Sequence, residues 1–145
     1  HMDRSPRAIE ELARLLIGSY GLQGEKIKAE FDLASVQLII DTAVPCGLVL
    51  NELITNSLKY AFPGGRQGTI SISLKVSGDG QVEILYRDDG VGLPEGMDLR
   101  LSRTLGASII VNIIEGQLKG TVAFSGEDGF RCGISFKQDL YPERV

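Results

Sequence analysis

The sequence has little that could cross-link it, hold a metal cluster or cross a membrane. It contains no tryptophan, and its two cysteines, Cys46 and Cys132, lack the spacing of a disulfide scaffold or a zinc site. No apolar run is long enough to span a membrane, and no segment has the pattern of a signal peptide. With 19 acidic and 15 basic residues, the formal net charge of −4 argues against a nucleic-acid-binding surface. We therefore expect a cytoplasmic domain from a reducing compartment.

The length of 145 residues favours one domain that is large enough to bury a core. Hydrophobic residues make up 43% of the chain and charged residues 23%, as in globular proteins. His1 and Met2 resemble the remnant of a cleaved tag, so we predict a single domain over residues 3–145, cut from a longer protein. Because His1 is the only histidine in the sequence, this predicted domain has none of its own.

The hydrophobic periodicity predicts an α+β domain. Helical spacing predicts helices at residues 7–17, at 43–61 with Pro45 in the first turn, and at 105–118. Alternation predicts strands at residues 27–32, 36–40, 69–76, 81–87, 121–125 and 130–137. Residues 77–80 and 126–129 are predicted hairpin turns, and residues 89–103 a loop. A two-layer α/β sandwich, with helices on one face of a mixed, mostly antiparallel sheet, satisfies this order.

The predicted helix at residues 43–61 has one apolar and one polar side. Its apolar side carries Leu50, Leu53, Ile54, Ser57, Leu58 and Ala61. Glu52, Asn56 and Lys59 fall together on the other side, with the spacing i, i+4, i+7. Most such stripes are solvated faces, but a carboxylate, an amide and an ammonium group are also what a magnesium–triphosphate site requires.

Asp88 shares a strand face with three core residues, which are Val82, Ile84 and Tyr86. A carboxylate at the end of such a row is costly unless it is hydrogen-bonded. It either caps the turn at Asp89 and Gly90, or it is held for a donor on a ligand, such as an exocyclic amine. Gly90 and Gly92 would let the backbone turn sharply and lie flat against a ring.

Residues 104–108 open the last predicted helix, on which Ile109, Ile110, Ile113 and Ile114 are expected to form one apolar stripe. Free N–H groups and the positive end of the dipole make a helix start a natural phosphate site. Gly106 and Ala107 would allow phosphate to approach the backbone closely. Alternatively, Thr104 is an ordinary N-cap and the helix start binds nothing.

Taken in order, three segments resemble the nucleotide-binding fold shared by sensor histidine kinases, gyrase and MutL, the Bergerat fold. Residues 51–62 resemble its asparagine box, residues 88–94 its first glycine box and residues 104–110 its second. Residues 59–63 and the short lid are similar to a histidine-kinase branch with a nonstandard phosphoacceptor domain. The second box retains only Gly106 as a glycine, and Tyr60 stands where histidine is frequent.

The resemblance implies a role for each of these segments. Asn56 would ligate Mg²⁺, and Glu52 would organise the ion and its water, directly or through a water ligand, or act as the base. ATP would be bound through the following residues: Lys59 and Tyr60 at phosphate, Asp88 at the adenine amino group, Gly90, Gly92 and Leu93 around the pocket, and Thr104, Leu105, Gly106 and Ala107 at phosphate through the backbone. Residues 93–103 would form the lid.

The resemblance also implies an activity, namely transfer of the γ-phosphoryl group of ATP to a histidine. Since His1 lies in the predicted tag remnant, we expect the acceptor on an upstream dimerisation domain, which would then serve a response regulator. The parent is expected to be a homodimer, soluble or membrane-anchored, and the isolated domain a monomer. Two alternatives stay open: a stand-alone serine kinase of the anti-sigma-factor type, and a degenerate nucleotide-binding module without catalysis.

Overall fold

Five strands form a single sheet at the centre of the domain. The computed structural model describes residues 11, 14, 15, 26–33, 40–77, 79–93, 97–101 and 106–138. The strands are β1 Ile27–Leu33, β2 Gly68–Val76, β3 Gln81–Asp88, β4 Thr121–Ser125 and β5 Arg131–Lys137. They lie in the order β1-β2-β3-β5-β4, with β1 parallel to β2 and every other pair antiparallel. The predicted mixed, mostly antiparallel sheet is confirmed.

Alternation along the strands puts one face of the sheet in the core. On β2, β3 and β5 the buried set is Ile70, Ile72, Leu74, Val82, Ile84, Tyr86, Cys132, Ile134 and Phe136. The register keeps these rows aligned, because Tyr86 pairs with Ile72 on one side and with Cys132 on the other. The two hairpins predicted around residues 77–80 and 126–129 are present.

The long helix α1, Ile40–Asn56, continues directly into a π-helical segment, Ser57–Ala61. Its predicted apolar side is buried in full against the sheet. Its predicted start at residue 43 is wrong, because the helix begins at Ile40 and Pro45 lies in its second turn. Ile40 is therefore helical and does not end a strand, and residues 36 and 38 of that predicted strand lie outside the described residues.

The second helix, α2, Ala107–Val111, also passes into a π-helical segment, Asn112–Gln117. Ile110 and Ile114 are buried on it, but Ile109 is 47% exposed, so the predicted stripe of four isoleucines is wrong at this position. Consecutive residues lie 100° apart on a helix, so Ile109 turns away from the core while Ile110 is buried, whereas Ile113 is partly buried and still packs against the core.

The predicted loop at residues 89–103 contains a short 3₁₀ turn, Leu99–Leu101. Of the predicted helix at residues 7–17, only residues 11, 14 and 15 are among the described residues. The guanidinium of Arg14 lies 5.1 Å from the centre of the Phe31 ring. Among the helices that the structure describes, none is both long and apolar enough to cross a membrane.

Candidate nucleotide-binding site

Asp88 is the last residue of β3, and only 5% of it is exposed. Its Oδ2 accepts a hydrogen bond from the Ser57 hydroxyl at 2.6 Å. Its Oδ1 accepts from the backbone N–H groups of Gly90 at 3.0 Å and Phe130 at 3.1 Å. Three donors thus offset the cost of burying this carboxylate. The prediction that Asp88 lies on the buried face of β3 is confirmed, and its bond to Gly90 also shows the turn-capping role.

Ser57 is part of a buried network that extends away from Asp88. Its hydroxyl oxygen lies 2.6 Å from the Tyr86 hydroxyl, whose single proton is shared between the Ser57 oxygen and the carbonyl oxygen of Leu53, 3.1 Å away. Burial raises the pKa of Tyr86 well above its ordinary value, and the negative charge of Asp88 raises it further. Tyr86 therefore stays protonated and can donate, which leaves the Ser57 proton for the carboxylate.

Sequence reasoning missed Ser57, although a signal was available. It is a buried polar residue on the mostly apolar side of α1 and its π-helical extension. A polar group on a core-facing stripe needs a buried partner, just as Asp88 does on its strand. Helix and strand each contribute one such residue, and the two meet because α1 packs on the buried face of the sheet.

Two glycines of the predicted first glycine box are required by close backbone contacts. A side chain at Gly90 would overlap the carbonyl oxygen of Ala61, which accepts the N–H of Val91 at 3.0 Å. Gly92 has a φ of 76°, and a side chain there would overlap the backbone of Gly126. The glycines therefore join the end of β3 both to the end of the long helix and to the β4–β5 turn.

Asp89, beside the site, has a structural role. Its Oδ1 accepts the N–H of Thr69 at 2.7 Å, and its own N–H donates to the Thr69 carbonyl oxygen at 3.2 Å. Arg66 donates to the carbonyl oxygen of Asp89 at 2.9 Å. These bonds tie the start of β2 to the turn after β3, so of the two adjacent aspartates only Asp88 faces the cleft.

A cleft opens above Asp88, between the end of the long helix and the loop that follows β3. Its lining residues are Asn56, Ser57, Tyr60, Ala61, Asp88, Gly92, Leu93, Leu99 and Phe130. Five of these were predicted as site residues: Asn56, Tyr60, Asp88, Gly92 and Leu93. The structure thus brings the asparagine box and the first glycine box to one cleft, as their order in the sequence led us to expect.

The cleft also has an aromatic wall that the sequence did not reveal. Phe130 lines the cleft and contacts the Tyr86 ring edge-on, with 6.2 Å between the ring centres. On its other side Phe130 stacks with Phe124 at 6.1 Å. Phe130 is 42 residues from Asp88 in sequence, yet its N–H donates to that carboxylate. No local pattern could predict this contact, because it depends on β5 pairing with β3.

Four other predicted site residues that the structure describes, Glu52, Lys59, Gly106 and Ala107, do not line the cleft. Glu52 faces the start of α2, where a side chain at Gly106 would overlap its carboxylate. Gly106 has a φ of 67°, and Ala107 after it is fully buried. Lys59 is exposed in the π-helical segment. Thr104 and Leu105, together with Pro94–Gly96 and residues 102 and 103 of the predicted lid, lie outside the described residues.

Comparison with known proteins identifies a family that matches most of the chain. Residues 42–142 match the family described as histidine kinase-, DNA gyrase B- and HSP90-like ATPase. The chain is 30% identical over 90 residues to blue-light-activated histidine kinase 2 of Erythrobacter litoralis, a match covering 62% of this chain and 26% of that protein. It is 31% identical over 83 residues to sensor histidine kinase PdtaS of Mycobacterium tuberculosis, covering 57% of this chain and 16% of that protein.

The fold has a close counterpart among solved structures. The histidine kinase domain of the Erythrobacter litoralis EL346 blue-light-activated kinase superposes with a TM-score of 0.81 at 24% identity, covering 94% of this chain and 64% of that one. The two curated relatives are much longer, since the matches span 26% and 16% of their lengths. Because the family match spans most of the sequence, the chain belongs to the histidine kinase-, DNA gyrase B- and HSP90-like ATPase family, whose members bind ATP.

Proposed function

We propose that this chain is the ATP-binding catalytic domain of a two-component sensor histidine kinase. In this proposal it binds Mg-ATP and transfers the γ-phosphoryl group to a histidine on a separate dimerisation domain. The observation that carries the proposal is the buried carboxylate of Asp88 at the base of a cleft that Asn56 also lines.

The hydrogen bonds of Asp88 support recognition of adenine. A carboxylate offers about four acceptor positions, and Asp88 uses three of them, for Ser57, Gly90 and Phe130. The remaining position is available to a ligand in the cleft, and an exocyclic amino group is a donor that could occupy it. Guanine presents a carbonyl oxygen at the corresponding ring position, so a carboxylate there favours adenine.

Asn56 and Glu52 fit a magnesium ion that is shared with a nucleotide. Mg²⁺ is usually held by one or two protein oxygens, several waters and the phosphates of its substrate. Within the described residues there is no group of three acidic, histidine or cysteine side chains that could hold a metal without the nucleotide. Asn56 would hold the ion, and Glu52, one turn earlier, would orient its water shell or take the acceptor's proton.

We assign the phosphates to the region beside the cleft where Glu52 faces Gly106. The first N–H groups of a helix have no partner inside the helix, so the start of α2 at Gly106 and Ala107 can donate to phosphate. Glu52 lies against Gly106, which supports a shared site for the ion and the phosphates. Lys59 is exposed and can supply positive charge from the rim. Positioning and charge neutralisation are the main requirements of phosphoryl transfer.

The acceptor is proposed to come from another part of the parent protein. His1 is the only histidine of the sequence, and we interpret it as part of a tag remnant. We place the acceptor histidine on an upstream dimerisation domain, which would pass the phosphoryl group to a response regulator. The parent would then act as a homodimer, and the isolated domain as a cytoplasmic monomer.

Calorimetry with Mg-ATP tests the binding half of the proposal. The wild-type domain should bind, and Asn56→Ala should bind far more weakly in the presence of Mg²⁺. Asn112→Ala is a matched control, since Asn112 is an exposed amide outside the cleft, and it should bind like wild type. Identical absence of heat for wild type and Asn56→Ala would refute the catalytic interpretation.

Phosphotransfer separates the proposal from the two alternatives. The domain should label the parent's dimerisation domain with an acid-labile phosphate, as expected of phosphohistidine. An acid-stable phosphate on the serine of an anti-anti-sigma-like substrate would instead identify a serine kinase. Tight Mg-ATP binding without transfer to either substrate would identify a nucleotide-binding module without catalysis.

A further inference from the structure

Among the described residues 97–101 of the predicted lid, Arg100 makes side-chain hydrogen bonds to two other elements of the domain. Arg100 lies in the 3₁₀ turn Leu99–Leu101, and its guanidinium forms a two-pronged ion pair with Glu115 at 2.8 and 3.1 Å. The same guanidinium donates to the carbonyl oxygen of Val122 at 3.3 Å. Arg100 therefore joins the turn both to the π-helical end of α2 and to β4.

The residue before Arg100 forms part of the nucleotide cleft. Leu99 is 5% exposed and lines the cleft together with Asn56 and Asp88. Residues of a 3₁₀ turn are 120° apart, so Leu99 can point into the cleft while Arg100 points at Glu115. The backbone is fixed further by the N–H of Arg100, which donates to the carboxylate of Asp98 at 3.0 Å.

Leu99 lies between the cleft and a second, open pocket. Leu93 and Leu99 line the cleft and also this pocket of about 710 Å³, which reaches the β4–β5 turn. The turn that carries Leu99 therefore separates the two spaces, and the polar bonds of Arg100 tie this turn to α2 and β4.

From these contacts we infer that Arg100 is a positioning residue for nucleotide binding, which acts as a latch by holding Leu99 in the cleft wall through Glu115 and Val122. This inference rests on the proposed function, because it assumes that the cleft takes ATP. The pair is partly exposed, at 43% for Arg100 and 36% for Glu115, so it contributes little to overall stability. Its effect is expected in the fraction of molecules whose turn is correctly placed.

Measured affinity falls in proportion to the fraction of competent molecules, so Arg100→Gln should raise the Kd for Mg-ATP about fivefold. Glu115→Gln should have a similar effect. Exchanging the charges with Arg100→Glu and Glu115→Arg should recover part of the affinity, because the ion pair can form again but a carboxylate cannot donate to the Val122 carbonyl. Arg100→Lys should keep little of the wild-type affinity, because an ammonium group cannot form the two-pronged contact.

The melting temperature should change by less than about 3 °C in all four of these variants. Lys137→Gln, which removes an exposed positive charge at the far end of β5, is the matched control and should bind like wild type.

Salt dependence gives a readout that a purely structural role would not change. Adenosine is uncharged, so salt does not screen its own attraction to the site. In the wild type, raising salt from about 0.05 to 0.5 M should still weaken adenosine binding, because salt screens the Arg100–Glu115 pair. Arg100→Gln should show no such weakening.

The latch would be overturned if Arg100→Gln and Glu115→Gln bound Mg-ATP and adenosine with the Kd values of the wild type. The proposed function would stand in that case, as long as Asn56→Ala still failed to bind Mg-ATP. Absence of Mg-ATP binding by the wild-type domain would overturn both.

Discussion

Replacing Ser57 by alanine removes one hydroxyl from the centre of the buried network. The lost bond to Asp88 is 2.6 Å long and has a charged acceptor, and both residues are at most 5% exposed. Such bonds contribute about 1.5–3 kcal/mol to folding. Alanine recovers about 0.5 kcal/mol through its higher helix propensity. Asp88 also keeps its two backbone donors, Gly90 and Phe130. The net loss expected for Ser57→Ala is therefore roughly 1–2.5 kcal/mol.

Urea denaturation followed by circular dichroism measures this loss as a lower midpoint with an unchanged slope. Thr55→Ala is the matched control. Thr55 lies in the same helix and also carries a hydroxyl group, but this hydroxyl makes no hydrogen bond to any residue that the structure describes. It should stay within about 0.5 kcal/mol of wild type. Tyr86→Phe should cost about 1 kcal/mol, since it loses the neutral bonds to Ser57 and Leu53.

The two substitutions should also be non-additive. Ser57 and Tyr86 share one hydrogen bond, so the double variant should lose less stability than the sum of the single variants. Ser57→Ala should weaken Mg-ATP binding as well, because Asp88 loses the group that orients its ligand-facing oxygen. Equal urea midpoints for Ser57→Ala and Thr55→Ala would refute the reasoning, since they would mean that the hydroxyl does not stabilise the buried carboxylate.

Three further predictions concern recognition, backbone packing and thiol reactivity. Asp88→Asn should weaken the binding of ATP by roughly 10- to 100-fold and that of GTP much less. The two backbone donors keep the amide oxygen at the Oδ1 position, so the NH₂ group turns towards the adenine amine. Equal losses of affinity for ATP and GTP, measured by calorimetry, would contradict the adenine role. Gly90→Ala should lower the free energy of unfolding by about 2–3 kcal/mol, because the new side chain overlaps a helix carbonyl. Gly133 has open space for a side chain, so Gly133→Ala should instead raise the free energy of unfolding by about 0.5–1 kcal/mol. Melting temperatures that shift in the same direction in both variants would exclude this explanation. Burial raises the pKa values of the Cys46 and Cys132 thiols to about 12. At pH 8 both thiols should therefore stay protonated and react slowly with a thiol reagent until denaturant is added. Rapid labelling of both thiols in the native protein would contradict this prediction.

Local patterns predicted most of the fold. Alternation located the strands, since residues such as Ile72 and Tyr86 repeat with a period of two and are buried on one face. The errors occurred where a pattern was short or ambiguous. The predicted helix start at residue 43 places Pro45 in the first turn, but the helix begins at Ile40 and tolerates proline in its second turn at the cost of one hydrogen bond. The run Ile109–Ile110 was read as one stripe, although helical geometry separates neighbours by 100°.

By itself, the sequence determined which positions are buried and which of them are chemically unusual. Asn56 and Asp88 could be singled out because each interrupts or opposes an apolar pattern, and local periodicity predicts which positions are buried. Local periodicity does not predict which distant residue each side chain contacts. Only the tertiary structure decided that Ser57 and Phe130 hold Asp88 and that Leu99, next to Arg100 in the 3₁₀ turn, lines the cleft. These contacts join residues far apart in sequence, so they exist only once helix, sheet and loop have packed together.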